Sequence, residues 1–307
     1  MKWSRLFAPL LALVLLAGCG KTPETPAPAP APEPQPEQFV FTRENFPRLN
    51  GSTSTVPLGQ AIASVLLGES REEVSDLIQF SKTTQSYRDL MWGNADLLIA
   101  AEPAEVIWQE KEEQNFDWNM EPFAVDALVF VVNADNPVDS LTVEQVQKIY
   151  TGEITNWSEV GGDDLPIVPF QRNAEAGSQT ARLKLVMKGL PMMDAPADYV
   201  RGEMGDLIEA VAAYDGTPAA IGYTVYYYAN DMKMADGLKI LSIDGVEPSV
   251  QAIRAGEYPF LNPYFVAISK DAAQDSPTRI LYDWVLGPDG QKLAALEGYV
   301  PVMETEG

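Results

Sequence analysis

Histidine is missing from this 307-residue chain, and cysteine occurs once, at Cys19. Those two absences remove Ser-His-Asp hydrolases, cysteine proteases, the usual zinc sites and any internal disulfide. Positive charge is also scarce: 21 Lys and Arg face 44 Asp and Glu, for a formal net charge of −23. A field of that sign repels polyanions, which argues against nucleic acid and anionic lipid surfaces as partners. It opposes small anions too, so an anion site here must win by local geometry. Carboxylate pairs arise by chance among so many acids, and they say little about catalysis. The apolar run at 6–16, which follows Lys2 and Arg5, is too short to span a membrane.

That run, with its basic start and small residues before Cys19, reads as a signal peptide over residues 1–19. Its ending, Leu16-Ala17-Gly18-Cys19, resembles the lipobox of bacterial lipoproteins, which implies a lipidated Cys19 and anchoring on the extracytoplasmic face of the cell membrane. Residues 20–38, GKTPETPAPAPAPEPQPEQ, contain nothing that could build a core and read as a Pro-rich spacer. At ~3.1 Å per residue it reaches up to ~60 Å. The remaining residues, 39–307, suffice for one large domain or two lobes.

Short apolar runs at 77–80, 97–100, 127–132, 167–170, 219–223 and 264–268 predict buried strands. Helical spacing covers 58–67, 87–92, 143–150, 180–187, 204–214, 276–286 and 291–297. Strands alternating with helices indicate an α/β fold. Thr142 with Gln145 fits a capping box, and Pro277 and Gly287 bracket a later helix.

Three helix starts are rich in hydroxyls. The first, Asn50-Gly51-Ser52-Thr53-Ser54-Thr55-Val56-Pro57, leads into the helix at 58. The second, Ser81-Lys82-Thr83-Thr84-Gln85-Ser86, follows the run at 77–80, and the third, Gly177-Ser178-Gln179-Thr180, follows that at 167–170. One such start is an ordinary cap. Three at strand-to-helix junctions suggest an anion site, because free N–H groups and the helix dipole favour negative charge there. Arg172 offers a planar fork for two oxygens of an oxyanion, and Glu175 is placed to hold that fork. Arg182 and Lys82 are the alternative cations.

Residues 50–56, "FVVNADNPVDSLTVEQVQKIYTGEITNWSEVGG" (130–162), "QRNAEAGSQTAR" (171–182), "AAIGYTVYYYA" (219–229) and "RAGEYPFLNPYFVAISKD" (254–271) come in an order that resembles a known family. That family is the phosphate-binding lipoproteins of bacterial ABC uptake systems. The likeness spans residues 46–303 and implies a two-lobed α/β periplasmic-binding-protein type II fold with a ligand cleft between the lobes. Lobe one would hold about 39–131 plus 244–307 and lobe two about 132–243, with hinge strands near 131–133 and around 241–245 or slightly later.

The resemblance further implies that inorganic phosphate is held without metal or cofactor, and that the protein is no enzyme. The resemblance implies delivery of the ion to an ABC permease, and the protein is expected to act as a monomer. Carried over, the ligand residues are Thr53 and Ser54 from the first loop, and Thr83, with Thr84 as rival, from the second. Arg172, Gly177, Ser178 and Thr180 come from the third, and Glu102 takes the position where the family usually has aspartate. A carboxylate there accepts a proton that phosphate retains and sulfate lacks. The tyrosines 223 and 226–228 read as core or hinge packing. Sulfate, molybdate or tungstate as ligand, or a sensing or adhesive lipoprotein without transport, are the alternatives.

Overall fold

The computed structural model describes residues 39–232 and 237–303; the expected leader, Cys19 and spacer lie outside the described residues. Its main sheet contains β1 (Leu49–Gly51), β2 (Leu97–Ala101), β3 (Trp118–Asn133), β4 (Val168–Pro169), β5 (Ala220–Val225), β6 (Leu238–Ile240), β7 (Leu261–Ser269) and β8 (Val300–Pro301). They bond in the order β1-β2-β7-β3-β5-β4, with β8 and β6 also on β3. β1 with β2 and β4 with β5 are parallel; β7 runs antiparallel to β2 and β3, as β5 does to β3.

β3 joins two lobes. Its residues up to Ala127 pair with β7, whereas Leu128 to Val132 pair with β5. The chain returns where the Leu128 N–H donates to the Phe260 carbonyl at 2.9 Å, one residue before β7 starts. The crossings therefore fall at 127/128 and 260/261, not near 131–133 and 241–245. Leu241, Ile243, Ile253 and Phe260 all belong to the core of the second lobe. An apolar run with no interruption gives no local mark of the point at which its partner strand changes.

Buried side chains explain the continuous apolar runs. In β2, Leu97, Ile99 and Ala101 face Leu58, Ile62, Tyr264 and Val285, while Leu98 and Ala100 face Tyr87 and Ile107 on the opposite side. With both faces covered, period-2 alternation has no polar phase. The second lobe is built around Phe130, Tyr150, Trp157, Val186, Ile221 and Tyr223. The run at 77–80 is not a strand: a 3-10 turn, Glu73–Leu77, ends there. Phe80 instead fills the space beneath two glycines, where a Cβ on Gly51 or Gly59 would lie 3.0 or 2.7 Å from its ring. Helices Glu105–Glu113, Tyr226–Asn230 and Val250–Arg254 were not anticipated. The expected capping box at Thr142 and Gln145 forms in both directions. No helix among the described residues is long and apolar enough to cross a membrane.

The run Thr155-Asn156-Trp157-Ser158-Glu159-Val160-Gly161-Gly162 is a structural anchor. Asn156 caps a 3-10 helix, and Glu159 accepts the Asn156 and Thr155 N–H groups. Trp157 is buried and its Nε1–H donates to the Ala219 carbonyl at 2.9 Å, tying the turn to the residue that precedes β5. Gly161 closes the turn at φ +90°, where a side chain would be strained. Trp157→Ala should therefore cost about 3–5 kcal/mol in chemical denaturation, through the loss of a buried indole and its hydrogen bond.

Candidate functional site

β1 brings the first loop against β2 at a point that admits only glycine: a Cβ on Gly51 would sit 2.0 Å from the Ile99 carbonyl oxygen. Beyond it, Ser52 and Thr55 turn inward. The Ser52 N–H donates to Ile99 O, and Ser52 Oγ accepts the Ala101 N–H at 3.0 Å. Thr55 Oγ1 bonds to the Ser52 and Ile99 carbonyls. Two hydroxyls thus brace the loop, which leaves Thr53 and Ser54 at the start of the helix Val56–Leu67 to face a cavity.

The second loop lies alongside, since Ser52 Oγ bonds to Thr83 Oγ1 at 2.8 Å. Lys82 caps the helix Thr83–Met91 with φ +74° and ψ 165°, a region that disfavours every residue with a Cβ and typically stores strain at functional positions. The third loop comes from the other lobe and opens the helix Gly177–Ala181. It approaches so closely that a Cβ on Gly177 would fall 2.3 Å from Thr83 Oγ1. Among the described residues, no hydrogen bond uses the N–H of Thr53, Ser54, Thr83, Gly177 or Ser178.

These loops enclose a cavity of about 40 Å³, room for a few waters or one compact ion and not for a sugar or peptide. Arg172 lines it, buried and without a carboxylate partner among the described residues. Its Nη2 donates to the Gly202 carbonyl at 2.9 Å and its Nε to that of Arg201 at 3.3 Å. Burial pulls its pKa below the ordinary arginine value, with Tyr223 and Glu203 opposing, yet a guanidinium retains its charge in proteins. Ser178 Oγ, also on the cavity wall, is buried and has no partner among the described residues. Asn262 lines the cavity as well, and its side-chain amide bonds to no other described residue. One buried cation and several unspent donors converge here, and that combination suits a small anion.

Six of the eight residues anticipated for the ion therefore gather on one wall or another: Thr53, Ser54, Thr83, Arg172, Gly177 and Ser178. Glu102 and Thr180 do not line the cavity. Glu102 reaches across to Lys184 of the other lobe in an ion pair, and Thr180 sits one turn further along its helix with its N–H on Ala176 O. Glu175 does not hold Arg172 either; it pairs with Arg88 at 3.0 Å. Arg182 is buried between the Tyr150 and Tyr223 rings, 4.6 Å from each, and bonds to Gln171 and Gln179. Thr84 is buried off the cavity with an unpartnered Oγ1.

Sequence reasoning missed Tyr228, Asn262 and Tyr264, which complete the wall, and it set Ser52 and Lys82 aside. Tyr223 is core, as expected, and its hydroxyl accepts the Arg172 N–H at 2.7 Å; Tyr228 is not only packing. The positive φ of Lys82 leaves no trace in the sequence. Asn262, by contrast, stands in the quoted run at 254–271 as a polar residue within an aromatic strand.

Known proteins resemble this chain in sequence and in fold. The phosphate-binding protein PstS of Bacillus subtilis is 31% identical over 182 residues, which is 59% of this chain and 57% of that protein. Protein SphX of Synechococcus elongatus is 26% identical over 82% of this chain and 76% of its own length. The chain spans less than two thirds of the first curated relatives it matches, 57% and, for PstS of Borreliella burgdorferi, 64%. Among solved structures, a phosphate-bound protein from Clostridium perfringens described as a phosphate ABC transporter substrate-binding protein superposes with a TM-score of 0.65. It is 24% identical, with 83% of this chain and 98% of that one covered. An ABC-type phosphate transport receptor from Vibrio cholerae gives 0.60 at 23% identity, over 82% and 98%. Likeness at that level speaks for the two-lobed fold. A family model for the PBP superfamily domain matches residues 50–286, and the chain belongs to that superfamily.

Proposed function

We propose that this chain is an extracytoplasmic, lipid-anchored receptor that captures inorganic phosphate between its lobes and hands it to an ABC permease, acting as a monomer and not as an enzyme. The observation that carries the reading is the pairing of carboxylate-free Arg172 with the unpartnered Ser178 hydroxyl, opposite Thr53 and Ser54. In this reading Arg172 supplies the full charge, and the N–H and O–H groups of the three helix starts supply neutral donors. Mere caps would have satisfied the Ser178 hydroxyl locally, which weighs against a sensing or adhesive lipoprotein with no ligand.

The net charge does not forbid an anion. Exposed acids beyond the ~8 Å Debye length at physiological salt are largely screened, whereas a guanidinium ~4 Å from the ion contributes about 4 kcal/mol at an effective dielectric of ~20. Closure has its own contacts. Among the described residues, three ion pairs cross between the lobes: Lys82 with Glu203, Arg88 with Glu175 and Lys184 with Glu102. They are partly exposed, so each contributes roughly 0.2–1 kcal/mol and weakens with salt. In this reading Glu102, paired with Lys184, acts as a latch, and the choice of phosphate over sulfate falls to another group.

Calorimetric titration of anion-stripped protein with phosphate tests these roles. Arg172→Ala should weaken binding on the order of a hundredfold or more, through lost charge-assisted hydrogen bonds. Glu102→Gln should cost less than about fivefold, as expected for an exposed pair; a loss matching that of Arg172→Ala would put its carboxylate on the ion. Gly177→Ala should weaken binding about tenfold or more by holding the third loop off Thr83 while leaving the melting temperature nearly unchanged.

A further inference from the structure

Behind the cavity wall lies a buried carboxylate that the proposed capture of phosphate does not yet use. Asp126 stands on β3 one residue before the pairing changes lobes, and it is 3% exposed. The Ala127 N–H donates to its Oδ1 at 2.7 Å and the Tyr227 N–H at 3.1 Å. Its Oδ2 lies 3.0 Å from the Tyr264 hydroxyl, which is 2.9 Å from Ser54 Oγ. Ser54 is held from the other side by the Tyr299 hydroxyl, which donates to its carbonyl at 2.6 Å. Asp126, Tyr264 and Ser54 therefore form a line of three hydrogen-bonding groups that ends in the cavity.

The Tyr264 hydroxyl has one proton and two oxygen neighbours, so it can donate to only one of them. With Asp126 ionised, Tyr264 donates to the carboxylate and accepts from Ser54, whose own proton is thereby spent. The Ser54 oxygen then offers lone pairs to the cavity. With Asp126 neutral, its proton can go to Tyr264, the line reverses, and Ser54 donates into the cavity. The direction of one bond at the wall is set by the charge of a group that never touches the ligand.

We propose that Asp126, acting through Tyr264, is a specificity-determining positioning residue that turns the Ser54 hydroxyl into an acceptor and so favours an oxyanion that still carries a proton. Hydrogen phosphate can donate to that oxygen; sulfate meets lone pair with lone pair. The proposal rests on the phosphate reading of the cavity and involves no net proton transfer. It assigns to Asp126 the discrimination expected of Glu102, whose carboxylate is engaged by Lys184.

The groups that face Asp126 are Tyr227, Tyr264, Tyr299 and Tyr226, with Asp231 as the charged neighbour. Burial pushes Asp126 up to about 7, against the pull of the Ala127 and Tyr227 N–H groups and the Tyr264 hydroxyl. Burial and the Asp126 charge hold Tyr264 well above the ordinary tyrosine range, so it stays protonated. The carboxylate is therefore mostly ionised above about pH 7 and mostly neutral below it, and preference for a protonated ligand should strengthen as pH rises through that value.

The test is the ratio of phosphate to sulfate affinity, by calorimetry on the anion-stripped full chain between pH 6 and 8.5. Wild type, Asp126→Asn, Tyr264→Phe and the double variant are compared. Asparagine keeps the shape but donates to Tyr264, which fixes the line in its reversed direction. Asp126→Asn should lower the ratio by about tenfold or more, partly through tighter sulfate binding, and flatten its pH dependence. Tyr264→Phe, which cuts the line, should also lower the ratio, and Asp126→Asn should then add nothing. Equal weakening of both anions, or an unchanged ratio in folded Asp126→Asn or Tyr264→Phe, would overturn the relay while leaving the phosphate receptor intact. A wild type with no preference for phosphate would instead overturn the functional reading and the relay together.

Discussion

A guanidinium removed from water without a carboxylate beside it is the constraint around which this molecule is arranged. Burying an unpaired charge costs several kcal/mol, and the two carbonyls on Arg172 return only part of that. In the proposed reading a negative group entering the cavity offsets much of the rest, and the three loops leave room for one. Gly51 and Gly177 let backbone approach backbone or hydroxyl, Ser52 and Thr55 brace the first loop, and Tyr223 fixes the Arg172 N–H. A carboxylate partner for Arg172 would stabilise the empty protein and compete with the ligand. Glu175, the nearest in sequence, is instead drawn off by Arg88.

The two lobes make that arrangement conditional. Arg172, Gly177 and Ser178 belong to one, Thr53, Ser54 and Thr83 to the other, so the site is complete only when they meet. Partly exposed ion pairs across the gap are individually weak, which suits the opening and closing that the proposed function requires. Asp126 lies close to the crossing between the lobes and to the cavity wall, which places one buried charge where hinge and ligand chemistry coincide.

Much of this was legible from residue types. Most buried strands announced themselves as apolar runs, and hydroxyl-rich helix starts pointed to three loops that meet at one cavity, because capping chemistry and anion chemistry use the same free N–H groups. What was not legible depended on partners distant in sequence. The apolar run through 127–132 hides the crossing at Ala127, since the residues on either side of it, Asp126 to Val132, are buried alike. Phe80 looked like strand and serves as a filler beneath two glycines. Glu102 occupied a suggestive position, yet Lys184, 82 residues on, claims its carboxylate. Asp126, unremarked within an apolar strand, gains its interest only from Tyr264, 138 residues away.

The measurement that bears most directly on the central claim is a crystal structure of the chain grown with inorganic phosphate. The account predicts one tetrahedral ion in the cavity, within hydrogen-bond distance of Arg172, Ser178 Oγ and Ser54 Oγ, with Glu102 still paired to Lys184. An ion held elsewhere, or Glu102 released from Lys184 and turned onto the ion, would contradict it.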